Sequence, residues 1–399
     1  MVTDEAVFVI VVLFGKNCSI AAGICPLGMQ LIEGEKESCV LLGISGKELH
    51  MKKAHLTGKE RIFSILNGRE TDTLPVINPT SLVTFENMQR IGCYFPQAHL
   101  DADRVAALAA TGHTVLGFDS IMPYFSLHIE AAVLGCNIDW GNPNRLPVVL
   151  DYPLKEAGDF KLPANFLDRR PTKALLTAIR AVKQKYGTRA AIIGKVVGPW
   201  TLAYHLYGAA NFLMDVVLEP VKVQQILQEL KQVPLMFAAA QIEAGADIIT
   251  WCDHVIDHLV SRQTYQDCLL PVHQECAVQL GKTPVILHVC GNVLDRLDLF
   301  AQTGFAAFHL DSRNSIPEAL KLAGAMHITG NLNNPRLLLN GSSQDVREAV
   351  NHIIQEGIQL ISPECGLPIR MTNANITEIV KSVRMYTNSR GDITNGRIY

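Results

Sequence analysis

Charge is scarce in this sequence. Only 18% of its 399 residues are charged and the formal net charge is −3, so nothing draws the chain electrostatically to nucleic acid or to an anionic membrane. Long apolar runs are missing too. The run at Val7 to Phe14 is much too short to cross a bilayer. It has the look of a signal-peptide core, but Asp4 and Glu5 precede it where positive charge belongs, and no clear cleavage site follows. Ten cysteines in a chain of this length are too dilute for a disulfide scaffold, which points to a reducing, cytoplasmic setting. No Gly-rich phosphate loop follows any strand-like run, so a dinucleotide site has no support. No internal repeat or low-complexity segment stands out.

What remains is an ordinary globular composition, 48% hydrophobic, with ample material for a large core. Residues 1 to 50 read as an N-terminal extension, poorly ordered or not translated, and regular patterning begins only after Met51. Cys18, Cys25 and Cys39 match no metal-ligand spacing. A helix is expected from Thr57 to Leu66, stopped by Asn67-Gly68. Strands are expected at 74–78, 115–120, 192–198, 248–253, 285–290, 306–311, 327–332 and 359–365. Helical patterns separate most of them, for example 171–186, a long block over 212–241, 292–302 and 316–323. Eight strand candidates with helical crossovers make a (β/α)8 TIM barrel, preferred to a doubly wound open sheet. A single barrel domain over residues 51–390 is expected. Residues 121 to 170 carry more chain than a crossover needs and five prolines, so an insertion is expected there.

The reactive residues cluster at strand ends. His288 and Cys290 share a face at the end of the fifth strand, because residues i and i+2 of a strand point the same way. Asp253 closes the fourth strand, Asp311 the sixth, Asn331 the seventh and Cys365 the eighth. In a TIM barrel the active site lies at that end of the strands. One imidazole and two thiolates suit zinc and leave a fourth position open. The expected centre is therefore a catalytic Zn²⁺ held by His288, Cys290 and Cys365. Asp311 is the candidate for a resting fourth ligand, and Asp253 either orients an acceptor or is structural. A thiol bound to zinc is deprotonated near neutral pH and becomes a nucleophile. Cys252, Cys268, His309, His254 and His258 are read as core or surface residues.

Leu287-His288-Val289-Cys290-Gly291-Asn292-Val293, with Ser362-Pro363-Glu364-Cys365-Gly366 downstream, resembles the methylcobalamin:coenzyme M methyltransferases, zinc enzymes on the uroporphyrinogen decarboxylase barrel. The resemblance runs from about Thr57 to Tyr386. It places the family's metal ligands on His288, Cys290 and Cys365 and its next acidic residue on Asp311, where the family more often has Glu. Glu364 stands where the family commonly has Gly, and is expected to face solvent. The resemblance implies methyl transfer from a methyl-Co(III) corrinoid, carried by a separate small protein, to a zinc-activated acceptor. The acceptor is coenzyme M in methanogens, or tetrahydrofolate in related bacterial proteins. The corrinoid protein is expected to dock on the loops after the first three strands.

Two other readings stand beside it. Uroporphyrinogen decarboxylase itself needs no metal and grips substrate carboxylates with arginines after the first strand. Residues 75–82, the corresponding stretch, contain none, and several carboxylates without a cation to bind them is electrostatically unfavourable. A non-catalytic corrinoid-binding or zinc-storing barrel predicts a closed four-ligand site, for which no fourth Cys or His stands near the triad. A corrinoid carrier is excluded by the lack of any Asp-x-His-x-x-Gly motif.

Overall fold

Seven parallel strands follow one another in chain order in the computed structural model, which describes residues 8–9, 42–43 and 55–390. They are β1 (Ser120–Ile121), β2 (Ala191–Val197), β3 (Ile248–Cys252), β4 (Val285–His288), β5 (Ala307–Leu310), β6 (His327–Leu332) and β7 (Leu360–Pro363). Each pairs with the next in parallel register. All seven residues of β2 are buried, as a strand covered on both faces must be.

Val76 closes the ring. It forms a parallel bridge with Ile361 of β7, flanked by Ile77 N–H to Ile361 O (2.9 Å) and Ile361 N–H to Pro75 O (3.0 Å). On the other side Asp119 N–H donates to Val76 O at 2.8 Å, just before β1. The segment around Val76 thus fills the place of an eighth strand, and the architecture is the expected TIM barrel.

Two strands are shorter than their sequence suggests. The expected strand at 74–78 is a single bridge, since Asn78 turns away to hydrogen bond Ser81 O and Thr80. Residues 115–117 do not start a strand but finish the helix Ala102–Thr114. Val115 and Leu116 N–H both return to Thr111 O, and Gly117 turns with φ +80°. Helices are otherwise close to expectation. Gly58–Leu66 opens with a capping box between Thr57 and Glu60, and Arg170–Tyr186 buries Leu175, Leu176, Ile179 and Val182. The long block is three helices, Ala209–Leu218, Pro220–Leu230 and Gln232–Ala244, divided at Pro220, which has no N–H to continue a helix, and again at Lys231. Residues 292–302 form short turns, Leu294–Arg296, Leu297–Phe300 and a last one from Ala301, in place of one helix.

Residues 121–170 insert a helix, Ile129–Val133, and a two-stranded hairpin, Ile138–Asp139 with Val148–Val149. Residues Met1–His55 form a unit separate from Leu56–Tyr399. Its described residues are one antiparallel pair, Phe8–Val9 with Leu42–Gly43. The expectations for Cys18, Cys25, Cys39 and for order in the extension lie outside the described residues. Among the described residues no helix is long and apolar enough to cross a membrane.

Candidate active site

His288 is the last residue of β4, and its strand ends there rather than at Cys290. What replaces the ladder is a loop fixed by Gly291. That residue has φ +87°, a conformation costly for any residue with a Cβ, and an added Cβ would stand 3.0 Å from Ile256 Cγ2. Gly291 N–H donates to Asp311 Oδ2 (2.7 Å) and Gly291 O accepts from Asn314 Nδ2 (2.9 Å). Val293 N–H reaches Asn314 Oδ1 at 2.9 Å. The loop carrying Cys290 is therefore tied to the loop after β5.

Cys365 comes from across the barrel, two residues past β7. Its approach is fixed on both sides. His309 Nε2 donates to Pro363 O (2.7 Å), which makes Nε2 the protonated nitrogen, and burial keeps that ring neutral, its pKa pushed down to about 3. Glu364 is buried instead of solvent-facing. Its carboxylate accepts from Asn334 N–H (2.8 Å) and Ser312 N–H (3.1 Å). The expectation for Glu364 is thus corrected: orphan backbone donors of two neighbouring loops need an acceptor there.

The three ligand atoms converge. His288 Nε2 lies 3.1 Å from Cys290 Sγ and 3.4 Å from Cys365 Sγ, and the two sulfurs are 3.5 Å apart. Among the described residues this is the one group of three or more metal-competent side chains drawn together. Hydrogen bonding from Cys290, with His288 beside it, holds the Cys365 thiol well below its ordinary pKa, while the same bond and burial raise the Cys290 thiol. Asp311 is not brought into the group. Its Oδ2 takes Gly291 N–H and its Oδ1 takes Arg313 N–H (3.0 Å), so both carboxylate oxygens hold the loop.

The uroporphyrinogen decarboxylase (URO-D) family model matches residues 57–386, most of the chain and the whole barrel. The chain belongs to the uroporphyrinogen decarboxylase family. Within it, the chain is 32% identical over 334 residues to the methylcobamide:CoM methyltransferase MtbA of Methanosarcina acetivorans, covering 83% of this chain and 98% of the relative. It is 28% identical over 331 residues to MtaA of Methanosarcina barkeri, covering 82% and 97%. A uroporphyrinogen decarboxylase from Wolbachia is 26% identical over 266 residues, covering 64% and 73%. A solved methyltransferase from Methanosarcina mazei superposes with TM-score 0.80 at 26% identity, covering 83% of this chain and 99% of that one.

In this member of the uroporphyrinogen decarboxylase family the triad opens onto a pocket of about 270 Å³ at the C-terminal mouth of the barrel. Phe125, Leu127, Leu146 and Leu367 give it apolar walls, so the 121–170 insertion supplies one side. Cys252 and His254 also line it; burial pushes the Cys252 thiol up to about 12. His309 is fully buried beside the triad, and Cys268 lies in the turn Tyr265–Leu269. Asp253 borders the pocket with its oxygens already engaged. They accept from Thr201 N–H (2.9 Å), Trp251 Nε1–H (3.1 Å) and His273 Nε2–H (2.9 Å). Gly198 makes room for this carboxylate, since a Cβ there would lie 1.9 Å from Asp253 Oδ2.

One charged pocket residue escapes the sequence reading. Lys195 sits mid-way along β2, inside Ile192-Ile193-Gly194-Lys195-Val196-Val197, and only 3% of it is exposed. A charged residue amid an unbroken buried aliphatic run was the available signal, because Lys is almost never fully buried without a purpose.

Proposed function

We propose that this chain transfers a methyl group from a methylated corrinoid, carried by a small partner protein, to the thiol of coenzyme M, with a zinc ion held by His288, Cys290 and Cys365. The observation that carries the reading is the convergence of one imidazole nitrogen and two sulfurs at 3.1–3.5 Å, at the strand ends of a barrel. A tetrahedral zinc with ordinary Zn–S and Zn–N bonds has ligand edges of about 3.5–3.8 Å, so the triad fits the ion with a slight expansion. A zinc ion bound there supplies the Lewis acidity that lowers the pKa of an acceptor thiol.

The chain's own residues set the geometry. Asp311, Asn314 and Gly291 hold Cys290 in place, and Glu364 and His309 hold the strand end that carries Cys365. The apolar walls keep water from competing for the methyl group. In the overall reaction the acceptor sulfur gains the methyl, the Co–C bond breaks and Co(III) becomes Co(I). The pocket of about 270 Å³ has room for a short thiol. It holds one cation, Lys195, among its lining residues, too few for the carboxylates of uroporphyrinogen.

Metal analysis tests the site itself. Wild type should bind one zinc per chain and Cys365→Ala should lose it with the fold retained. Zinc retained in full by Cys365→Ala, or absent from wild type, rejects the assignment.

A further inference from the structure

We infer that Lys195 is the acceptor-selecting residue: its buried ammonium receives the anionic tail of the thiol substrate while the thiol points to His288, Cys290 and Cys365. The inference rests on the proposed thiol-methylating function and adds to it a requirement for negative charge on the acceptor.

The side chain is built to present an under-used charge. Its Nζ donates to Thr80 O at 3.3 Å and lies over the Tyr124 ring at 4.5 Å from the centroid. Among the described residues it makes no ion pair, though it is buried and lines the pocket. An ammonium carries three donors, so this arrangement leaves it short of partners in a water-poor site, where an unpaired charge is costly. Glu130, the carboxylate whose charge acts on it, forms no ion pair with it. Glu130 is fully buried with its pKa raised to about 7, and its oxygens accept from the Tyr124 hydroxyl and from Val197 N–H (2.9 Å). Tyr124 offers its ring to the ammonium and donates its hydroxyl hydrogen bond to Glu130. Burial lowers the ammonium's pKa, while Cys252, Cys365, Glu130 and Cys290 favour its charged form, and the ammonium's residue lines the same pocket as the triad. The pocket therefore carries both a soft-metal triad and a cation among its lining residues. A short molecule with a thiol at one terminus and a sulfonate or carboxylate at the other matches both. Coenzyme M, 2-mercaptoethanesulfonate, has that form.

Calorimetric binding to the zinc-loaded protein separates the ideas, with coenzyme M, 2-mercaptoethanol and 2-mercaptoethylamine as probes of one length and three charges. Wild type should bind coenzyme M about tenfold or more tighter than the neutral thiol, and the cationic thiol weakest. Lys195→Met should lose that preference with zinc content unchanged, and Lys195→Arg should keep part of it. Wild type binding all three thiols equally overturns the inference, without any variant, and leaves the thiol-methylating reading standing. Preference retained in Lys195→Met overturns it too, and zinc lost with Lys195→Met reassigns the lysine to balancing the thiolates. Failure of zinc-loaded wild type to bind any thiol overturns the proposed function and this inference with it.

Discussion

Asp311 accepts backbone N–H groups with both carboxylate oxygens, from Gly291 and from Arg313, and its expected effect follows from that. Asp311→Ala leaves two donors without their acceptor, which costs about 1.5–3 kcal/mol of stability even in metal-free protein. Urea unfolding of the apo form checks this. A variant equally stable without metal but weaker in zinc affinity would restore Asp311 to the role of direct ligand. A second residue-scale expectation concerns acid. His99 is buried, stacked on Phe95 at 4.0 Å with neither ring nitrogen hydrogen bonded, and burial holds its pKa down to about 3. The unfolded chain takes up this proton near its ordinary value of 6.5 and the folded chain does not. Stability from this residue is present above that value and is lost as pH falls towards the folded one. His99→Phe should therefore gain on wild type by about 2 kcal/mol between roughly pH 7.5 and pH 5. Paired denaturation curves at the two pH values would show no such gain if the ring were charged in the fold.

At the scale of elements, Gly291 sets the loop that turns Cys290 inward. Gly291→Ala introduces strain of about 1–3 kcal/mol at a positive φ and pushes against Ile256. The expected result is a lower melting temperature together with weaker zinc retention, read by thermal unfolding and by chelator competition. Much of this element was legible. His288, Cys290 and Cys365 could be grouped from sequence because strand periodicity and the placement of strand ends are local properties. The strand limits were less so. Cys290 and Cys365 both lie two residues beyond their strands, where cross-loop bonds to Asn314, Asp311 and Glu364 take over from the ladder. Those partners are distant in sequence, so no local pattern announces them. Glu364 was misread for that reason, its neighbours in sequence giving no sign of Asn334 and Ser312.

For the whole molecule, the seam of the barrel is the informative feature. Asp119 joins the segment around Val76 to β1: its Oδ2 accepts from Val76 N–H (2.8 Å), and Arg61 (3.2 Å) and Arg384 (3.1 Å) converge on it. Asp119→Ala should cost about 3–5 kcal/mol, the range for removing one partner of a buried charge cluster. Cooperative urea unfolding measures it, and a loss under about 1 kcal/mol would show the seam to be held by packing alone. The eight strand positions, 74–78 among them, were readable from strand-like runs alternating with helical patterns, whereas the shortening of the first strand to one bridge at Val76 was not, because it depends on Asn78 turning to Ser81 and Thr80. The barrel in turn gives the catalytic proposal its geometry. The most direct test of that proposal is methyl transfer from methylcobalamin to coenzyme M, followed with zinc-depleted and zinc-reloaded protein. Methylated coenzyme M and Co(I) should form with the reloaded wild type, stop on depletion, and not return for Cys365→Ala. Equal methylation with and without zinc would contradict the account.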